Sequence, residues 1–213
     1  MWNLFKRKEK NDTSVLNDDL YNSLFADDPD DFIKLKDHPA ISWIYENKTP
    51  TLDELELLAE DQSVESRIRF LSLYTALQRG LKINKKVYLG TIMEVPMNRG
   101  YDVLAFYSDK RARYYNYSGK AIIYEGGRQT IDDSIEKANS VSIQVCNRIG
   151  PWDKERLPKP NGNIWRFSFL VSDGLYFGQG PLNALNNDEM AAAMIRSGAE
   201  VMKALTNEAQ KSA

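Results

Sequence analysis

The chain has 213 residues, with 28 Lys/Arg against 30 Asp/Glu and a formal net charge of −2. A chain of this length buries roughly 70% of its unfolded surface, so it folds without a disulfide or metal staple, and a single cysteine, Cys146, excludes an internal disulfide. No apolar run of about 18 residues occurs, which excludes a membrane-spanning helix, and "MWNLFKRKEK" sets its apolar residues ahead of its positive ones, the reverse of a signal peptide. With no need for an oxidising compartment, the composition points to a cytoplasm of bacterial type.

The small net charge conceals an asymmetry. Residues 1–62 carry seven Lys/Arg against fifteen Asp/Glu, a net of −8, and residues 63–213 carry a net of +6. The acidic front and the basic body can attract each other or different partners. Residues 1–38 read as an acidic arm and 39–213 as a single domain. Within the arm, Val15, Leu16, Leu20, Leu24 and Phe25 recur at spacings near four, as in a short helix over 13–25. The first residues, Trp2 and Phe5, followed by Lys6, Arg7 and Lys8, form at most a weak peripheral membrane foot. Asp27, Asp28, Asp30 and Asp31 lack the glycine and terminal glutamate of a calcium loop and read as a solvated acidic linker.

Thr51 and Glu54 have capping-box spacing, with Leu52, Leu55 and Leu58 behind them. Ser63 opens a second helix whose apolar stripe runs through Val64, Ile68, Leu71, Tyr74 and Leu77, with Gly80 after its last turn. From Lys85 the period changes to two, and "KVYLGTIMEV", "YDVLAFYS", "RARYYNYS" and "KAIIYEGG" read as a four-strand meander with Asp109 and Gly119 in its turns. Thr130 and Asp133 begin a third helix, ended by Gly150-Pro151. A loop with three prolines leads to a two-strand hairpin, "IWRFSFLV" and "LYFGQ", and a final helix runs from about residue 186 to 208. The order predicts an α+β fold: an antiparallel sheet of about six strands with helices mainly on one face.

The stretch "SDGLYFGQGPL" has two glycines of a dinucleotide fingerprint, Gly178 and Gly180, but Asn183 stands where the third belongs and Pro181 removes a backbone donor. It reads as a hairpin turn at Ser172-Asp173-Gly174, with Gly178 and Gly180 allowing a close approach to one strand face. His38 is the only histidine, and no Gly-x-Ser-x-Gly elbow accompanies it. One cysteine and one histidine leave no structural zinc site, so no metal or cofactor is expected.

One constellation stands out. Strand alternation puts Arg111, Arg113, Tyr115 and Tyr117 on one face. On the later hairpin it puts Trp165, Phe167, Phe169 and Val171 in the core, with Arg166 and Ser168 opposite and Gln179 as the polar group of the neighbouring strand. On a sheet covered on one side, these groups share the open side. Guanidinium forks there suit a carboxylate or phosphate. Trp152 and Arg156, in "PWDKERLPKP", suit a protein contact. The resulting expectation is a non-enzymatic binding or interaction module for an anionic small molecule or an acidic protein segment. The sequence pI of about 5.6 and the lack of an RNA-binding signature argue against nucleic acid. Two alternatives stay open. One is a small enzyme with a cleft between the sheet and the 151–162 loop, using Asp153, Glu155 or Arg156 with Tyr176. The other is a toxin-neutralising or secretion-associated protein whose acidic front binds a basic surface.

The stretches "SRIRFLSLYTALQRG", "YDVLAFYSDKRARYYNYSGK", "IGPWDKERLPKP" and "SDGLYFGQGPL" resemble a family of small uncharacterised bacterial proteins. The resemblance runs from about Pro39 onward. It implies a bacterial cytoplasmic protein and adds no activity and no site residue.

Overall fold

The computed structural model describes residues 21, 24, 25, 27–46, 48–97, 100–154, 157, 158, 160 and 162–211. Trp2, Phe5, Glu155 and Arg156 lie outside them. Six strands form one antiparallel sheet: β1 (Tyr88–Met97), β2 (Gly100–Tyr107), β3 (Ala112–Tyr115), β4 (Ala121–Tyr124), β5 (Ile164–Val171) and β6 (Gly174–Pro181), in the order β4-β3-β2-β1-β5-β6. The meander and the hairpin are thus those of the sequence, joined by pairing of β1 with β5. The α-helices are α1 (Leu52–Glu60), α2 (Ser66–Gln78), α3 (Gln129–Cys146), α4 (Leu182–Asn187) and α5 (Glu189–Lys211), with short 3-10 helices over Pro29–Leu35 and Ser42–Tyr45. This is the expected α+β class.

The placement of the helices corrects the expectation of a sheet covered mainly on one face. One core packs α3 and α5 against Met93, Leu104, Phe106, Ala112, Tyr114, Phe167 and Phe169. A second packs α1, α2, Phe25 and the 3-10 segments against Ile92, Val103, Ala105, Tyr107, Tyr115 and Leu170. The reason is visible in the central strands. "VLAFY" at 103–107 and "FSFLV" at 167–171 are continuous buried runs, the mark of a strand covered on both faces.

Local sequence positions the helices with varying fidelity. The Thr51 capping box is present: the Glu54 amide donates to Thr51 Oγ1 at 3.3 Å, and the Thr51 amide donates to Glu54 Oε2 at 2.9 Å. Helix α2 begins at Ser66 rather than Ser63, because a distant carboxylate caps it: the Ser66 amide donates to Asp109 Oδ2 at 2.7 Å. It is also buried almost all round, Arg67 and Arg69 included, rather than along one stripe. Helix α3 starts at Gln129, without a side-chain cap from Thr130. A chain of buried hydroxyls fastens it to β1, with Thr91 Oγ1 donating to Ser142 Oγ at 2.9 Å and the Tyr88 hydroxyl donating to Asn139 Oδ1 at 2.9 Å.

Several described residues of the segment expected as an arm belong to the body. Tyr21, Phe25 and Phe32 are buried in the same core as Ile41 and Leu55. Burying each such ring stabilises the fold by about 2–3 kcal/mol. Asp27 is also buried, not solvated as a linker residue would be.

The glycines of the β6 stretch act differently from the expected close approach. A Cβ at Gly178 would meet nothing within 4 Å, and one at Gly180 would make ordinary contact with Leu185. Gly174 is the constrained position, at φ +140° with Pro151 3.2 Å from where its Cβ would stand. In β1, a Cβ on Gly90 would sit 2.6 Å from Tyr107 Cδ1 and 3.2 Å from the Phe106 carbonyl, which is backbone and cannot yield. Gly90→Ala is therefore expected to lower stability by about 1–3 kcal/mol, measured by urea unfolding; a midpoint equal to that of the unaltered chain contradicts the packing described.

Candidate functional site

Strand parity holds, and it delivers the arginines to a closed interface. Arg113 and Tyr115 are opposite Ala105 and Val103, on the face that α2 covers. Arg113 is 8% exposed, and its guanidinium donates to Glu65 Oε2 at 2.8 Å and to the Leu24 carbonyl at 2.7 Å. Glu65 also meets Arg67 Nε at 3.5 Å. Burial pushes the Arg67 guanidinium pKa down, with the neighbouring Arg113 charge acting in the same direction. The Tyr107 phenol stands close enough to both arginines to feel them, yet burial dominates and raises its pKa to about 12. Tyr115 is buried, and burial raises its phenol pKa as well. Arg111, half-buried, is paired with Asp109 at 3.0 Å and Glu125 at 2.8 Å. Tyr117 is exposed beyond the end of β3. The open Arg/Tyr face expected from alternation is therefore replaced by an interior one. Its guanidinium groups are spent on Glu65, Asp109, Glu125 and the backbone of the chain's own N-terminal segment.

Arg166 is likewise 5% exposed. It donates to Gln179 Oε1 from Nε at 3.2 Å and from Nη2 at 3.0 Å, and to the Pro158 carbonyl at 2.5 Å. Glu94 lies 3.8 Å away. Arg166 thus pins the proline loop to β5 and β6.

Beside it opens a cleft of about 390 Å³. Its floor is Arg166, Ser168 and Leu175. Trp152, Lys154, Leu157 and Phe177 form one wall, and Tyr74 and Gln78 at the end of α2 form another. Asp27, Asp28, Pro29 and Asp30 close the rim. Trp152 and Phe177 meet edge to face with ring centroids 4.3 Å apart. Lys154 Nζ stands 5.5 Å above the indole, and Arg166 Cζ 5.9 Å above the Phe177 ring. Ser168 is 3% exposed and its hydroxyl has no hydrogen-bond partner among the described residues. Gln78 is exposed, and its amide also has no hydrogen-bond partner among the described residues. The cleft therefore combines aromatic walls with two unspent neutral hydrogen-bonding groups.

Of the residues singled out from sequence, Trp152, Arg166 and Ser168 come together here, with Gln179 behind Arg166. Arg111, Arg113, Tyr115 and Tyr117 do not line the cleft. Sequence reasoning missed Gln78, Phe177 and the acidic rim. Phe177 was legible, since it shares the parity of Gln179; Gln78 at a helix end carried no signal. The acid/base set considered for an enzymatic cleft is not gathered among the described residues. Asp153 is exposed, and Tyr176 faces the α3/α5 core, donating to Asp173 Oδ2 at 2.9 Å, its phenol pKa raised by burial. No group of three or more metal-ligating side chains occurs among the described residues. None of the described helices is long and apolar enough to cross a membrane. No protein-family model, curated protein or solved structure matches the chain.

Two outcomes check these assignments. Glu65→Ala leaves Arg113 and Arg67 facing each other without their shared carboxylate and is expected to cost about 3 kcal/mol, more than Arg113→Met, by denaturant unfolding; the reverse order contradicts the pairing. Cys146 is 1% exposed and burial raises its thiol pKa to about 12. At pH 8 it should resist a thiol-specific disulfide reagent in the folded chain and react fully in denaturant; rapid labelling of the native protein contradicts its burial.

Proposed function

We propose that the chain is a non-enzymatic binding module that receives its ligand in the cleft over Ser168. The observation that carries this reading is the unspent Ser168 hydroxyl on the floor of an aromatic-walled cavity. The hydroxyl opens onto the cleft rather than being sealed in the core, so a ligand seated there exchanges a hydrogen bond to water for a direct one. The cavity volume is within the range of small-molecule sites, which are mostly apolar with a few convergent polar groups.

The acidic segment first expected as an external partner for the Arg/Tyr face has a counterpart inside the chain. The backbone of Leu24 rests on Arg113, and Asp27 to Asp30 rim the cleft beside Arg166. Recognition of an anion at the arginines would require their present partners to leave, whereas the cleft offers groups already available.

Screening a library of small amino acids, sugars and ring compounds by amide NMR is the test. Expected hits perturb Ser168, Phe177 and Gln78, and Ser168→Leu, which fills the floor, abolishes them. Hits confined to other surfaces, or unaffected by Ser168→Leu, overturn the reading.

A further inference from the structure

We infer that the ligand of this cleft carries a planar nitrogen heterocycle of the nucleobase kind, an inference that rests on the binding reading above. Three aromatic side chains, Trp152, Phe177 and Tyr74, line one cavity. Aromatic walls favour a flat ring, because offset and edge-to-face contacts add to the apolar area buried. Two of the unspent groups are neutral, and the charged ones, Asp30 and Lys154, are exposed at the rim. The Ser168 hydroxyl donates and accepts one bond each way, and the Gln78 amide offers both an acceptor and donors. A ring edge with alternating acceptors and N–H donors matches this pair; a carboxylate or ammonium satisfies only half of it.

The charges of the lining agree. The guanidinium of Arg166 already donates to Gln179 and to the Pro158 carbonyl, so it shapes the floor without offering a free fork for an anion. Lys154 is exposed and stands on the indole. An exposed cation–π contact is worth only about 0.5–1 kcal/mol, so an incoming ring can displace the ammonium and leave it at the rim.

The test uses the full chain with adenosine and ribose 5-phosphate as probes, read by amide NMR and by quenching of Trp152 fluorescence against a Trp152→Phe control. Adenosine is expected to bind with a Kd on the order of 0.1–1 mM, as suits a ligand of its size. Ser168→Ala and Gln78→Leu should each weaken it about fivefold or more. Because the Ser168 hydroxyl has no partner within the chain, Ser168→Ala should leave the unfolding midpoint unchanged, so its effect on binding is not a folding effect. Ribose 5-phosphate should leave the cleft residues unperturbed. If ribose 5-phosphate perturbs them and adenosine does not, the ring assignment is overturned and the cleft stands as a binding site. If neither probe does so and the wider screen also fails there, both readings fall.

Discussion

Glu65 holds this molecule together at the point where three separate stretches of chain meet. Its carboxylate takes the Arg113 guanidinium at 2.8 Å, and that same guanidinium reaches the Leu24 carbonyl at 2.7 Å. Helix α2, the third strand and the N-terminal segment are thereby tied by one side chain to each other. A buried pair of this kind adds little net stability relative to an apolar substitute, but removing one partner is costly. Its effect here is positional: it sets where α2 lies on the sheet, and α2 in turn decides which part of that face stays open.

The open part is at the other end. At the last turn of α2, which supplies Tyr74 and Gln78 as one wall, the sheet face over Ser168 is bridged by the proline loop, which Arg166 holds through the Pro158 carbonyl, and by the acidic segment at Asp27 to Asp30. The cleft is the space these covers leave. Arginines at equivalent parity in β3 and β5 thus do the same job twice. Each fastens a separate stretch of chain to the sheet by donating to backbone carbonyl oxygen, Arg113 to Leu24 and Arg166 to Pro158.

This explains why the arginines looked like a recognition surface. Alternation along "RARYY" and "IWRFSF" places Arg113 and Arg166 on one side of the sheet, as found. An exposed and a buried arginine have the same parity, so alternation alone does not distinguish them. The run at 103–107 is apolar at every position, but at 166–171 Arg166 and Ser168 keep the alternation of a strand with one wet face, so the local pattern is divided between the two outcomes. Burial of Phe25 and Phe32 was less legible, since the acidic residues around them resemble a solvated tether.

By itself the sequence determined the elements: the period change at Lys85, the capping box at Thr51, the two-residue turn before Gly174 and the parity of each strand. These follow from interactions within a few residues or between neighbouring strands. The tertiary structure alone decided that β1 pairs with β5, that both faces of the sheet are covered, and that Gln78, Phe177 and Ser168 face one cavity. The physical reason is that each of these depends on which apolar surfaces meet across 50 or more residues of chain. Hydrophobic burial is non-directional, so it leaves no local mark of the partner it will find.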